Sequence, residues 1–380
     1  MIYFVPIFFC ILFSICYDFN HRNQGRLICY IFLCTFLILI ASLRYKVGGD
    51  TIRYMEEFKY YPTLFNLKAT HFQTSGVMPL CLIFFSFCKT ISSSFYFLQF
   101  VHAFFINFVI FLFFYKHTRF IFSSVLFYII WSYLEFNTEI IRESMAVCFV
   151  LLGVDKLIKR RYIKYYFFCF IALGFHLSAI LAFFMPLFYL FKWNFWGISI
   201  CFGIIGLITI VYQILPSYFS VLNFLGSDAE VLLQRYYKEE AKTGNLTTLL
   251  IYSAKWIVLP VFSIMIVRRG RFKESFKFVG FIMIGMVLSS FIQYSYAFYR
   301  FINYLMPYFW MLLGTSVVSL PTLKSFRLLR KFSLLLLLSY LLYAFLSINF
   351  QYMVPGKEDY LKYFPYTSIF NEEKVYRPEW

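Results

Sequence analysis

The chain predicts an all-α polytopic membrane protein with about twelve transmembrane helices, some of them shortened or re-entrant. Three observations carry this. Of 380 residues, 61% are hydrophobic and only 14% charged, whereas soluble domains run near about a quarter charged. Apolar runs of about 18 residues or more recur, long enough for a helix to cross a hydrocarbon core about 30 Å thick. No region repeats the period-two alternation of a membrane strand for about ten residues. One integrated domain over 1–380 is expected, without linker, repeat or appended soluble domain.

The first apolar segment, 2–17, lacks a basic lead and a small-residue cleavage site, so it reads as a spanning or anchoring helix and not a removed signal. The others run over 27–43, 77–89, 95–115, 120–134, 138–155, 165–191, 195–215, 248–267, 276–292, 300–320 and 332–350. Their orientation follows from Lys and Arg in short loops. Lys156, Lys159, Arg160, Arg161 and Lys164 form one basic loop. Arg268, Arg269, Arg271, Lys273 and Lys277 form a second, and Lys324, Arg327, Arg330 and Lys331 a third. These are assigned to the cytoplasm, and Arg22 with Arg26 puts the first loop there too.

Two cytoplasmic points must be separated by an even number of crossings. Five segments lie between Arg26 and Lys156, so one does not cross; 77–89 is too short and reads as re-entrant or interfacial. Three lie between Lys164 and Arg268. The oversized 165–191 therefore reads as two shortened helices folding back near His176, which needs a buried or wet setting at that depth. Both termini then lie outside, together with the loops 44–94 and 216–247 and the tail 351–380.

The net charge of +17 would suggest nucleic acid in a soluble protein. Here it is mostly topological, and no nucleic acid partner is expected. Nine cysteines all fall in apolar segments with no CxxC, so they read as small buried hydrophobes. The five histidines show no paired ligand spacing. No metal and no cofactor are expected.

Ionisable groups in or beside spans cost on the order of 2.5–3.5 kcal/mol each at mid-helix, so they need a reason. Arg44 closes the second segment and opens the stretch Arg44-Tyr-Lys-Val-Gly-Gly-Asp-Thr-Ile-Arg-Tyr54. Arg44 is either a snorkelling anchor or an anion ligand. Gly48 and Gly49 let backbone N–H groups approach an anion. Asp50 is either a turn carboxylate or a reactive one. Glu139 and Arg142 lie three apart on one helix face, next to Glu143. Their pairing either lowers the cost of burying Arg142 or holds it towards a phosphate. His176, at the fold-back, is either a core histidine or a general acid/base. Arg300 opens another segment on the same outer side, as anchor or ligand. Arginines converging from several segments suit a diphosphate, because the guanidinium fork binds phosphate oxygens bidentately and keeps its charge. A lipid-linked substrate suits a site at the membrane edge.

The stretch 44–54 resembles the signature loop of the EpsG family of Wzy-like bacterial exopolysaccharide polymerases. Glu139-Ile-Ile-Arg142-Glu-Ser-Met-Ala146, Ala172-Leu-Gly-Phe-His176-Leu-Ser-Ala179, Tyr299-Arg300-Phe-Ile-Asn-Tyr304 and Phe364-Pro-Tyr-Thr-Ser-Ile-Phe370 extend the resemblance nearly end to end. It implies a type-C glycosyltransferase-like protein of the bacterial inner membrane, with its site facing the periplasm or exterior. The implied reaction joins undecaprenyl-diphosphate-linked oligosaccharide repeats into O-antigen, capsule or exopolysaccharide, without a metal. In that reading Arg44, Arg142 and Arg300 grip the diphosphate and Arg44, Asp50 and His176 serve catalysis. Gly48, Gly49, Thr51, Tyr54, Glu139 and Tyr304 support them. The implied partners are the lipid-linked repeats, the bilayer and a chain-length regulator. A lipid-linked oligosaccharide flippase, or a ligase or acyltransferase on the same carrier, is the alternative.

Overall fold

The computed structural model describes residues 2–214, 254–269, 277–292, 297–320, 352–354 and 357–371. The expected outer loop 216–247, the basic loop from Lys324 to Lys331 and the apolar segment 332–350 lie outside the described residues.

Charge marks one end of the helical bundle. Helix α1 (Phe4–Phe13) continues through a π-helical turn, Ser14–Phe19, to Asp18. There Asp18 accepts from the Ser123 N–H at 2.8 Å and its hydroxyl at 2.9 Å, and faces Arg26 at 3.7 Å. Arg26 starts α2 (Arg26–Ser42). At this same end of α6 (Phe95–His117), Lys116 and His117 flank Asp155 at 3.2 and 3.3 Å, and Lys277 donates to His117 at 3.2 Å. At the opposite end of α6, Gln99 donates to the carbonyls of Ser42 and Arg44. We call these the Asp18 end and the Arg44 end.

Among the described residues α6 alone is long and apolar enough to cross a membrane unaided. Its 23 residues reach about 34 Å at about 1.5 Å each. It packs on α2 and on α9 (Ile141–Ile158), and α9 packs on α10 (Tyr162–Phe175). Helix α7 (Ile121–Trp131) packs on α1 and on α16 (Met306–Ser319). Small residues let apolar helices approach closely: a Cβ on Gly314 of α16 would sit 2.7 Å from the Ser124 nitrogen of α7.

Several expected segments are broken, each with a local cause. In 120–134, α7 stops at Trp131 and a short α8 (Tyr133–Thr138) follows. A closed polar network pins α8: Asn107 donates to Asn137 at 2.9 Å, Tyr128 to Asn107 at 3.1 Å, and Asn137 to Tyr128 at 3.0 Å. Buried polar groups must find partners, and these three satisfy one another. In 165–191, α10 ends at Phe175, His176 is extended, and a 3₁₀ turn (Leu177–Ala179) leads into α11 (Ile180–Phe188). The two helices fold back together, with Tyr165 donating to the Ala182 carbonyl at 2.6 Å. The segment 300–320 is not one helix. Helix α15 (Ala297–Asn303) ends before α16, whose start carries Pro307, a residue suited to a first helical turn and not to a helix interior. Between α11 and α15 lie α12 (Phe195–Ile214), a π-helical turn Ala254–Val258, α13 (Leu259–Arg269) and α14 (Val279–Ile292).

The loop after Arg44 is itself folded, into α3 (Thr51–Tyr60), α4 (Ala69–Thr74) and α5 (Pro79–Ile91). Helix α5 begins beside Gly174, whose Cβ would meet Leu80 at 2.6 Å, and ends with Lys89 donating to the Phe58 carbonyl at 2.9 Å. Its 13 residues reach about 20 Å, short of a full hydrocarbon core. The all-helical expectation needs one amendment. The tail holds an antiparallel pair, β1 (Tyr352–Val354) with β2 (Lys357–Leu361), and a bridge joins Arg44 to Ser368.

Candidate functional site

The tail after β2 docks on the loop after α2. Tyr45 donates to the Thr367 carbonyl at 2.8 Å, Ile369 to that of Leu43 at 3.0 Å, and Gly48 to that of Lys362 at 3.2 Å. Gly48 has φ +109°, and a Cβ there would lie 2.6 Å from the Thr138 Cβ. Only glycine takes this backbone and this contact readily. Thr51, fully buried, donates to the Val47 carbonyl at 2.7 Å. A Cβ on Gly49 would sit 3.0 Å from the Lys362 side chain. The glycine pair is thus packed between the 138–139 segment and the tail, and the Gly48 N–H is already spent on a carbonyl.

Arg44 lies inside this seat at 2% exposure. Its Nη1 donates to the Ala41 carbonyl, while Nε and Nη2 have no hydrogen-bond partner among the described residues. Burial lowers its pKa to about 10, against the phenols of Tyr133, Tyr3, Tyr366 and Tyr363, so it stays charged at neutral pH.

A second group is open. Arg142, in the first turn of α9, lies half-buried with its guanidinium 5.9 Å from the centre of the Tyr54 ring. Burial raises the Tyr54 phenol to about 12, so it remains a donor. His176 is half-buried, and Arg300 on α15 is exposed. Both arginines lie within electrostatic reach of His176. The His176 Nδ1 accepts the Ser178 N–H at 3.3 Å and lies 2.6 Å from the Ser178 hydroxyl, which lies 3.1 Å from the buried Tyr304 hydroxyl. Accepting at Nδ1 leaves the proton of the neutral ring on Nε2. Asp50 is exposed at the start of α3, within the field of Arg53, and Arg53 pairs with Glu57 at 2.8 Å.

The expected pair of Glu139 with Arg142 is replaced by others. Glu139 is held by Lys362 and by the Tyr363 hydroxyl, because the tail arrives on its side of the turn. The two other carboxylates in the same segment have their own partners. Tyr299 donates to Glu135 at 2.9 Å, and Asn303 donates to the buried Glu143 at 2.9 Å. Burial, then the neighbouring Glu139, raises the Glu135 carboxyl to about 7. Glu135, Glu139 and Glu143 recur every four residues, and so do Tyr299 and Asn303. That spacing was readable, but its partners were not. Among the described residues no three His, Cys, Asp or Glu gather as metal ligands.

Two guanidinium cations in the field of one imidazole are a group chemically suited to an anion. No curated protein and no solved structure matches the chain. The EpsG family model matches residues 27–368, so this apolar chain, helical among its described residues but for a short tail hairpin, belongs to the EpsG family and has a polysaccharide-polymerase-like function in a membrane.

Proposed function

We propose that the protein joins undecaprenyl-diphosphate-linked oligosaccharide repeats on the non-cytoplasmic face of the inner membrane. The observation that carries this is that Arg142 and Arg300, from two separate segments, both lie within electrostatic reach of His176 on a third. An acceptor hydroxyl attacks the anomeric carbon of the donor chain. The new glycosidic bond forms as the bond to the lipid diphosphate breaks. Arg142 and Arg300 stabilise the charge that builds on the departing diphosphate. His176 donates from Nε2, because its Nδ1 is engaged by Ser178. Asp50, exposed at the start of α3, takes the proton from the acceptor hydroxyl. Arg44 is read as a strut: it holds the signature loop against the tail and leaves diphosphate binding to Arg142 and Arg300.

Deletion of the gene and sizing of the surface polysaccharide tests this. Single repeats in place of a ladder are expected, and an unchanged ladder overturns the reading. In vesicles, polymer made from repeats already on the outer leaflet supports the polymerase. Repeat translocation without elongation supports a flippase, and transfer of one finished chain a ligase.

A further inference from the structure

Arg300 sits on α15, a helix of only seven residues. Two turns do not hold themselves together in isolation, so the direction of this arginine must be set from outside. The contacts that set it are specific. Tyr299 and Asn303 are four apart and share a helix face. Both point at the segment that carries Arg142: Tyr299 donates to Glu135 and Asn303 to Glu143, each at 2.9 Å. Arg300, one residue after Tyr299, projects about 100° away around the helix and is exposed. Tyr304, just after α15, reaches Ser178 and through it His176.

We propose that Glu143 and Glu135 are positioning residues for Arg300. They clamp α15 by its Asn303 and Tyr299 face, so that Arg300 is presented across the opening from Arg142 on the same diphosphate. This rests on the reading that Arg300 binds diphosphate. The sign of the effect separates clamping from simple electrostatics. Glu143 lies in the field of Arg300, so on charge alone its removal would leave anion binding unchanged or tighten it. Loss of a clamp weakens it.

The experiment measures binding of undecaprenyl diphosphate to the purified full-length protein in nanodiscs. Polymer length in membranes is the second readout. Arg300→Ala is expected to weaken binding roughly tenfold to a hundredfold, the size of one charge-assisted hydrogen bond. Glu143→Ala is expected to weaken it in the same range. Glu143→Gln keeps an acceptor for Asn303 and should bind at least as tightly as the wild type. In the Arg300→Ala background, Glu143→Ala should add less than about twofold, since both act through one contact. Tyr299→Phe removes one hydroxyl and serves if Glu143→Ala does not fold; about threefold weakening is expected. Tighter or unchanged binding in both Glu143→Ala and Tyr299→Phe overturns the clamp, and so does multiplication with Arg300→Ala. If Arg300→Ala itself binds like the wild type, the diphosphate reading falls and the clamp with it.

Discussion

Arg44 and Arg142 both border the loop that follows α2 and live in different physical worlds. Arg44 is sealed at 2% exposure among four tyrosines, with one backbone acceptor and two nitrogens that find no partner among the described residues. Arg142 is half-buried, over the Tyr54 ring and, like Arg300, within electrostatic reach of His176. A buried cation with few partners is costly, and here it sits where loop and tail are stitched together by backbone hydrogen bonds. An open cation with others converging on it can meet a charge that arrives during reaction. Charge density near a membrane edge therefore marks both kinds of site, and burial separates them.

The largest contrast comes from the open group. Arg142→Ala or Arg300→Ala should lower polymer formation by about a hundredfold or more at unchanged protein level, as loss of a transition-state charge stabiliser does. Gel sizing of the polysaccharide against immunoblotted protein checks this; a wild-type ladder from either variant would remove the distinction.

Next is the glycine that lets loop and helix meet. Gly48→Ala places a methyl group 2.6 Å from Thr138 on a φ of +109°. Both backbone strain and overpacking act, each costing about 1–3 kcal/mol. A lower melting temperature in detergent and less folded protein are expected. Melting equal to wild type would mean the seat is looser than its contacts imply.

Arg44→Met tests the strut directly. It keeps the volume and removes a poorly paired buried charge, so the melting temperature should be kept or slightly raised, with polymer lowered by less than about tenfold. A fall as deep as that of Arg142→Ala, in protein that melts normally, would move Arg44 into the reacting group.

The smallest effect concerns Glu135. Its carboxyl is raised to about 7 in the folded protein. A raised pKa favours the protonated folded form, so this stabilisation is present in the acid range and fades as pH rises through about 7. Wild type should melt higher at pH 6 than at pH 8. Glu135→Gln, which cannot ionise, should shrink that difference by on the order of 2 °C. Identical pH dependence in both proteins would dismiss Glu135 as its source.

Much of the frame was legible because its causes are local. Apolar runs announce helices, and the break at His176 was readable from an oversized segment. The breaks at Ser132 and at Tyr304 were not readable, since they depend on a three-residue polar network and on where α15 is tethered. The same holds at the site. Arg142, His176 and Arg300 stood out as ionisable groups where few are tolerated, and both arginines lie within electrostatic reach of His176. Glu139 was paired with Arg142 by spacing alone. Lys362 and Tyr363, more than two hundred residues later, took it instead.

Composition alone dictates a helical membrane chain, because so apolar a sequence must satisfy its backbone internally. The signature loop is likewise visible as a charged, glycine-bearing stretch beside an apolar run. That Arg44 is buried while Arg142 is half-buried and Arg300 exposed was decided only in three dimensions. The tail covers Arg44, while α15 and the His176 turn gather around Arg142. Burial and convergence are properties of segments meeting from far apart in the chain, and no local pattern encodes them.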